Sequence, residues 1–171
     1  MNRIAKLFLI ASLLFSKVIL AQSSAKELGE RLLHCYVTDS IRQLDKCFPT
    51  AEQLITYGRQ HGLESKPDVI EAFNKRYPVL LEEVKANLQR IKEEGNSKGI
   101  DWKYIHTDGI ETTRKMSPRA DSDKDSLTIN RVNIDFHYAI RSYRIVIENA
   151  IEIDGKYYLD NIIYFREITT D

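Results

Sequence analysis

From Ile129 to Tyr138 apolar and polar residues alternate. Val132, Ile134, Phe136 and Tyr138 fall on one face, and Arg131, Asn133, Asp135 and His137 on the other. Successive side chains of a strand point to opposite faces, so this run predicts a half-buried strand. Tyr143 to Ile153 repeats the pattern, setting Tyr143, Ile145, Ile147, Ile151 and Ile153 against Arg144, Glu148 and Glu152. Asp154-Gly155 follows. Both central residues of a type I′ turn need positive φ, which Asp and Gly tolerate, and that turn matches the twist of its flanking strands. Lys156 to Ile168 then returns as the second arm of a long hairpin. Its adjacent Ile162 and Ile163 blur the alternation and predict cover on both faces. Tyr104 to Lys115 is a weaker strand, with Tyr104, Ile110 and Thr112 as its better residues. Such strands must lay their apolar face on something, and the earlier part of the chain has to supply it.

That earlier part has helical spacing. Leu28, Leu32, Cys35 and Tyr36 place a helix over Ser24 to Val37. Asp39 or Ser40 caps a short second helix with Ile41, Leu44 and Phe48 inward, ended by Pro49. Thr50-Ala51-Glu52-Gln53 has the form of a capping box and opens a helix that stops at Gly62. Ser65-Lys66-Pro67-Asp68 opens the longest segment, which runs to Gly95. Its stripes Val69, Ile70, Phe73, Tyr77 and Leu81, Val84, Leu88, Ile91 flank Pro78, which predicts a kink or a division. This long helix is expected to lie across the sheet. Ser117 to Ser126 reads as a solvated loop. The order predicts an α+β fold, with N-terminal helices packed on an antiparallel sheet of about four strands.

Composition changes this picture at the start of the chain. Arg3 and Lys6 precede an apolar run from Leu7 to Phe15, Lys17 interrupts, and Ala21 closes the segment. A basic start, a short apolar stretch and a small final residue describe a secretory leader, and the run is too short and broken to span a membrane. Cleavage after Ala21 leaves residues 22–171 as one domain, exported to the periplasm or outside the cell, with no stable membrane anchor. It removes Arg3, Lys6 and Lys17 and no acid, so 22 basic and 25 acidic residues remain. The signs are interspersed, whereas a phosphate backbone calls for a concentrated basic surface, so nucleic acid is not an expected partner. Export places Cys35 and Cys47 in an oxidising compartment, where a structural disulfide between them is expected.

The run from Tyr143 through Asp154-Gly155-Lys156-Tyr157-Tyr158-Leu159 to Ile163 resembles the closing hairpin of the NTF2-like (cystatin-like) superfamily. Gly99-Ile100-Asp101-Trp102 is similar to a segment in secreted bacterial members of unknown function. The resemblance implies a strongly curved, cone-like sheet wrapped round a helix, with a pocket at its mouth. That superfamily includes isomerases, dehydratases, transport factors and binding modules, so the fold does not choose among functions. No motif of its enzymes is matched here.

Candidate chemistry is sparse. Asp135 and His137 lie two apart on one strand and share a face, where a carboxylate can orient an imidazole as a general base. The same alternation places that face away from the core. Asp121, Asp123 and Asp125 resemble the start of a calcium loop, yet Ser126 stands where Gly is needed and Val132 where Glu is needed. The four histidines lack zinc-site spacing, so no metal or cofactor is expected. Trp102, Tyr104, Tyr138, Tyr143 and Tyr158 are the aromatic candidates for lining a ligand pocket, against the alternative that they are core. Three readings stay open: a non-catalytic module binding a small molecule or a protein; a small lyase or isomerase using Asp135, His137 or a pocket tyrosine; and a subunit dimerising through the outer sheet face by Val146 and Ala150.

Overall fold

The computed structural model describes residues 24–60, 66–116 and 128–169. The expected leader, the helix end at His61-Gly62 and the Asp121, Asp123 and Asp125 run lie outside them.

Helix α1, Ala25–Val37, starts at Ser24, whose hydroxyl accepts from the Glu27 amide at 3.1 Å. This satisfies one of the free donors of the first turn. A 3₁₀ turn over Ile41–Cys47 follows. Helix α2, Ala51–Gln60, opens with the reciprocal capping box. The Thr50 amide donates to Gln53 Oε1 at 2.8 Å and the Gln53 amide to Thr50 Oγ1 at 3.1 Å. Helix α3, Pro67–Ser97, runs unbroken through Pro78. Pro78 is exposed there, as is Asn74, so water can satisfy the carbonyl that the ring leaves without a donor.

Five antiparallel strands follow: β1 His106–Met116, β2 Thr128–Tyr138, β3 Arg141–Ile153, β4 Lys156–Leu159 and β5 Ile163–Ile168. Their order is β1-β2-β3, with the first half of β3 pairing β5 and the second half pairing β4, and the sheet does not close. β4 and β5 behave as one strand interrupted at Asp160, Asn161 and Ile162. The Glu148 amide donates to the Ile162 carbonyl at 2.9 Å across the break. The β3–β4 turn has φ of 51° at Asp154 and 71° at Gly155, as a type I′ turn requires. With helices first and an antiparallel sheet after them, the fold is α+β.

The helix lying on the middle of the sheet is α1, not α3. Gly29 permits it: a Cβ there would meet Val132 at 3.0 Å and Ile110 at 3.1 Å. Helix α3 packs through its second half, burying Val84, Leu88 and Ile91. Between helices and sheet sits an aromatic stack. Trp102 lies 4.9 Å from Tyr36 and 5.6 Å from Phe136, and Phe136 and Phe165 lie 5.6 and 5.5 Å from Tyr143.

Two expectations are overturned. Ala150 is fully buried in the core rather than on the polar side of β3. Between the pairs Val132–Ile147 and Asn130–Ala150, β3 uses one residue more than β2. This bulge shifts the register by one residue and brings Ala150 to the core. Cys35 and Cys47 are both buried and not bonded. They pack in the core as thiols, as small hydrophobes do. Burial raises both, Cys47 to about 11, even though the Arg31 guanidinium beside it pulls the other way.

Candidate functional site

The end of α3 builds a cleft. The helix closes in a glycine turn: the Ile100 amide donates to the Gly95 carbonyl at 3.0 Å, and Gly99 adopts φ 81°. The chain folds straight back so that Trp102 lies over Gly95. A Cβ on Gly95 would come within 2.2 Å of the indole. The indole Nε1 donates to Asn96 Oδ1 at 3.0 Å and to the Lys92 carbonyl at 3.3 Å. Asp101 caps the short 3₁₀ turn Trp102–Tyr104 by accepting from the Lys103 amide at 3.1 Å. Against this corner come the end of α1 and Asp39, whose φ is 55°. Tyr36 donates its hydroxyl to the Leu88 carbonyl at 3.1 Å.

The result is an open cleft of about 440 Å³ lined by Tyr36, Val37, Asp39, Lys92, Asn96, Gly99, Ile100, Asp101, Trp102 and Lys103. Its charges are not equivalent. Lys92 is 9% exposed, whereas the Asp39 side chain that pairs with it is 82% exposed. The Lys92 ammonium donates to Asp39 Oδ1 and holds that carboxyl below the usual carboxylate range. Burying an ammonium is costly without such a partner. The arrangement offers a cation at the floor, an aromatic wall and carboxylates at the rim.

The outer face of the sheet carries a different chemistry. Asp135 does not meet His137. It takes a bidentate pair from Arg144, at 2.5 Å to Nε and 2.6 Å to Nη2. His137 instead finds Asp108, Nδ1 to Oδ1 at 2.6 Å, and stacks on His106 with ring centroids 5.0 Å apart. Asp108 is the extra residue of a bulge between Thr107 and Gly109, and bulges re-aim side chains in this way. The strand alternation of β2 gave no sign of it, because the partner comes from β1. Further along, Arg131, Glu148 and Tyr164 close a triangle: Arg131 to Glu148 at 3.0 Å, Arg131 to the Tyr164 hydroxyl at 2.7 Å, and Tyr164 to Glu148 at 2.7 Å. Val146 lies beneath this layer with no exposed surface.

The aromatic candidates separate. Trp102 reaches the cleft. Tyr143, 1% exposed, is inside the stack. Tyr158 is buried and accepts from Gln53 Nε2 at 3.0 Å. Tyr138 is half-buried against the core, and Tyr104 is 69% exposed. The polar cleft residues that the sequence did not name as site candidates are Asp39, Lys92, Asn96, Asp101 and Lys103. They come from three segments with no shared motif. A second, apolar recess of about 170 Å³ lies where α2, α3 and β4 meet, lined by Phe48, Leu54, Phe73, Tyr77, Leu81, Ile151 and Leu159 among others. Among the described residues no cluster of three His, Cys, Asp or Glu is arranged to hold a metal ion, and no helix is long and apolar enough to cross a membrane.

Compared with known proteins, the chain matches no protein family, no curated protein and no solved structure. The class available from fold and site is therefore an α+β domain with a mixed aromatic and charged cleft at the end of its longest helix.

Proposed function

We propose that this chain is an exported, non-catalytic binding module of the NTF2-like kind, holding a small ligand in the cleft around Lys92 and Trp102. The cleft itself carries the reading. Its volume of about 440 Å³ falls within the range of roughly 300–1,000 Å³ for small-molecule sites, which combine apolar walls with a few placed polar groups. The leader pattern over 1–21 supports export, and the closing hairpin supports the superfamily.

Native mass spectrometry of the protein purified from its own secreting cells, set against its denatured mass, tests this. A non-covalent added mass that is lost when Lys92 is replaced by Met is the expected result. An added mass that survives Lys92→Met places the ligand elsewhere and overturns the assignment of the site. A second reading, a protein partner, has its own observation: the apolar recess is too small for most ligands and matches one apolar side chain of a partner.

A further inference from the structure

We infer that the ligand of this cleft is a small anion, a carboxylate by preference, and that Asp39 occupies the anion's place in its absence. The inference rests on the cleft being the ligand site. Its basis is the asymmetry of the Lys92–Asp39 pair. Lys92 is fixed in α3 and almost wholly buried, so its ammonium needs an acceptor. Among the described residues that acceptor is Asp39, which reaches in from a surface turn with its side chain 82% exposed. A carboxylate so exposed can return to water at little cost. An incoming carboxylate then takes over the same ammonium, which carries three donors.

The other lining groups fit that role. Asp101 already accepts from the Lys103 amide, and Asn96 Oδ1 accepts from the indole. Asp101 and Lys103 are exposed at the rim, while Lys92 is the buried charge of the cleft. The Tyr36–Trp102 stack with Ile100 borders them and is almost wholly buried, so the ligand is small and is held by its charge. Asp39 stands at φ 55°, a conformation that Asn accepts at least as readily. Asp39→Asn therefore removes the resident charge without disturbing the turn.

The chain has a single tryptophan, Trp102, which borders the cleft, so its fluorescence responds to binding there. Benzoate, benzamide and benzylamine are titrated into the full exported chain. Benzoate should bind about tenfold or more tighter than benzamide, the ratio that one charge-assisted hydrogen bond supplies. Benzylamine should be weakest. Asp39→Asn should tighten benzoate and leave benzamide unchanged. Lys92→Met, whose apolar stem keeps most of the buried volume, should abolish the preference. Benzamide or benzylamine binding as well as benzoate would overturn the anion assignment and leave the cleft as a ligand site. Silence of Trp102 with all three probes, in both the parent and Asp39→Asn, would overturn the site as well.

Discussion

At the residue scale, close approaches decide more than charges do. Gly95 exists because the Trp102 ring occupies the space of a Cβ, 2.2 Å away. Gly95→Ala should lower stability by about 1–3 kcal/mol through overpacking, while Gly109→Ala, with nothing within 4 Å, should change it little. Thermal denaturation of the two variants checks this; equal losses would mean that Trp102 is not seated on α3. The cysteines give a second prediction. Folding raises Cys47 from 9.0 to about 11, so the folded protein keeps a proton that the unfolded chain loses. The resulting stability is complete below pH 9 and falls away as pH rises through 9 to 11, by roughly 3 kcal/mol in all. Urea denaturation across that window should show the fall, and Cys47→Ala should lessen it, leaving the part that the raised Cys35 thiol contributes. Alkylation of the unreduced, unfolded chain should add two labels, one for each of Cys35 and Cys47. No label would mean that the thiols are bonded.

At the scale of elements, the sheet's outer face is a layer of paired charges over a buried Val146. The Asp135–Arg144 pair is bidentate, with side chains 19% and 24% exposed. Replacing Arg144 with Leu should cost about 1.5–3 kcal/mol, the worth of hydrogen bonds to a charged group. A double-mutant cycle with Asp135→Asn should recover much of that loss; simple additivity would show that the pair contributes little. The strands, the type I′ turn and the capping box of α2 were legible because each is a local pattern: period-two alternation, Asp-Gly, Thr-x-x-Gln. The exceptions came from single-residue bulges. The extra residue in β3 moved Ala150 inward, and the one in β1 supplied Asp108 to His137 in place of Asp135. Neither leaves a mark in a strand's own sequence. Pro78 does not divide α3 for a related reason, since its cost depends on exposure. The central place of α1 was likewise hidden, because it depends on Gly29 meeting Val132 and Ile110 from distant strands.

At the scale of the whole molecule, the helices cover the inner face of the sheet with aromatic rings. Tyr36, Trp102, Phe136, Tyr143 and Phe165 fill the space between the layers. This moves the binding question from the interior to the corner where α1, α3 and the Gly99–Lys103 segment meet. Of the sequence's aromatic candidates only Trp102 reaches that corner; Lys92 and Asp39 were invisible because an ion pair between residues 53 apart has no local signature. The most direct measurement is a small-molecule fragment screen on the ¹⁵N-labelled protein, read at its single tryptophan indole N–H by two-dimensional NMR. Binding in the cleft predicts that anionic fragments shift the Trp102 indole together with the Lys92, Asn96 and Ile100 amides. Shifts confined to the apolar recess around Phe73 and Leu81, or to the His137–Asp108 face of the sheet, would contradict it.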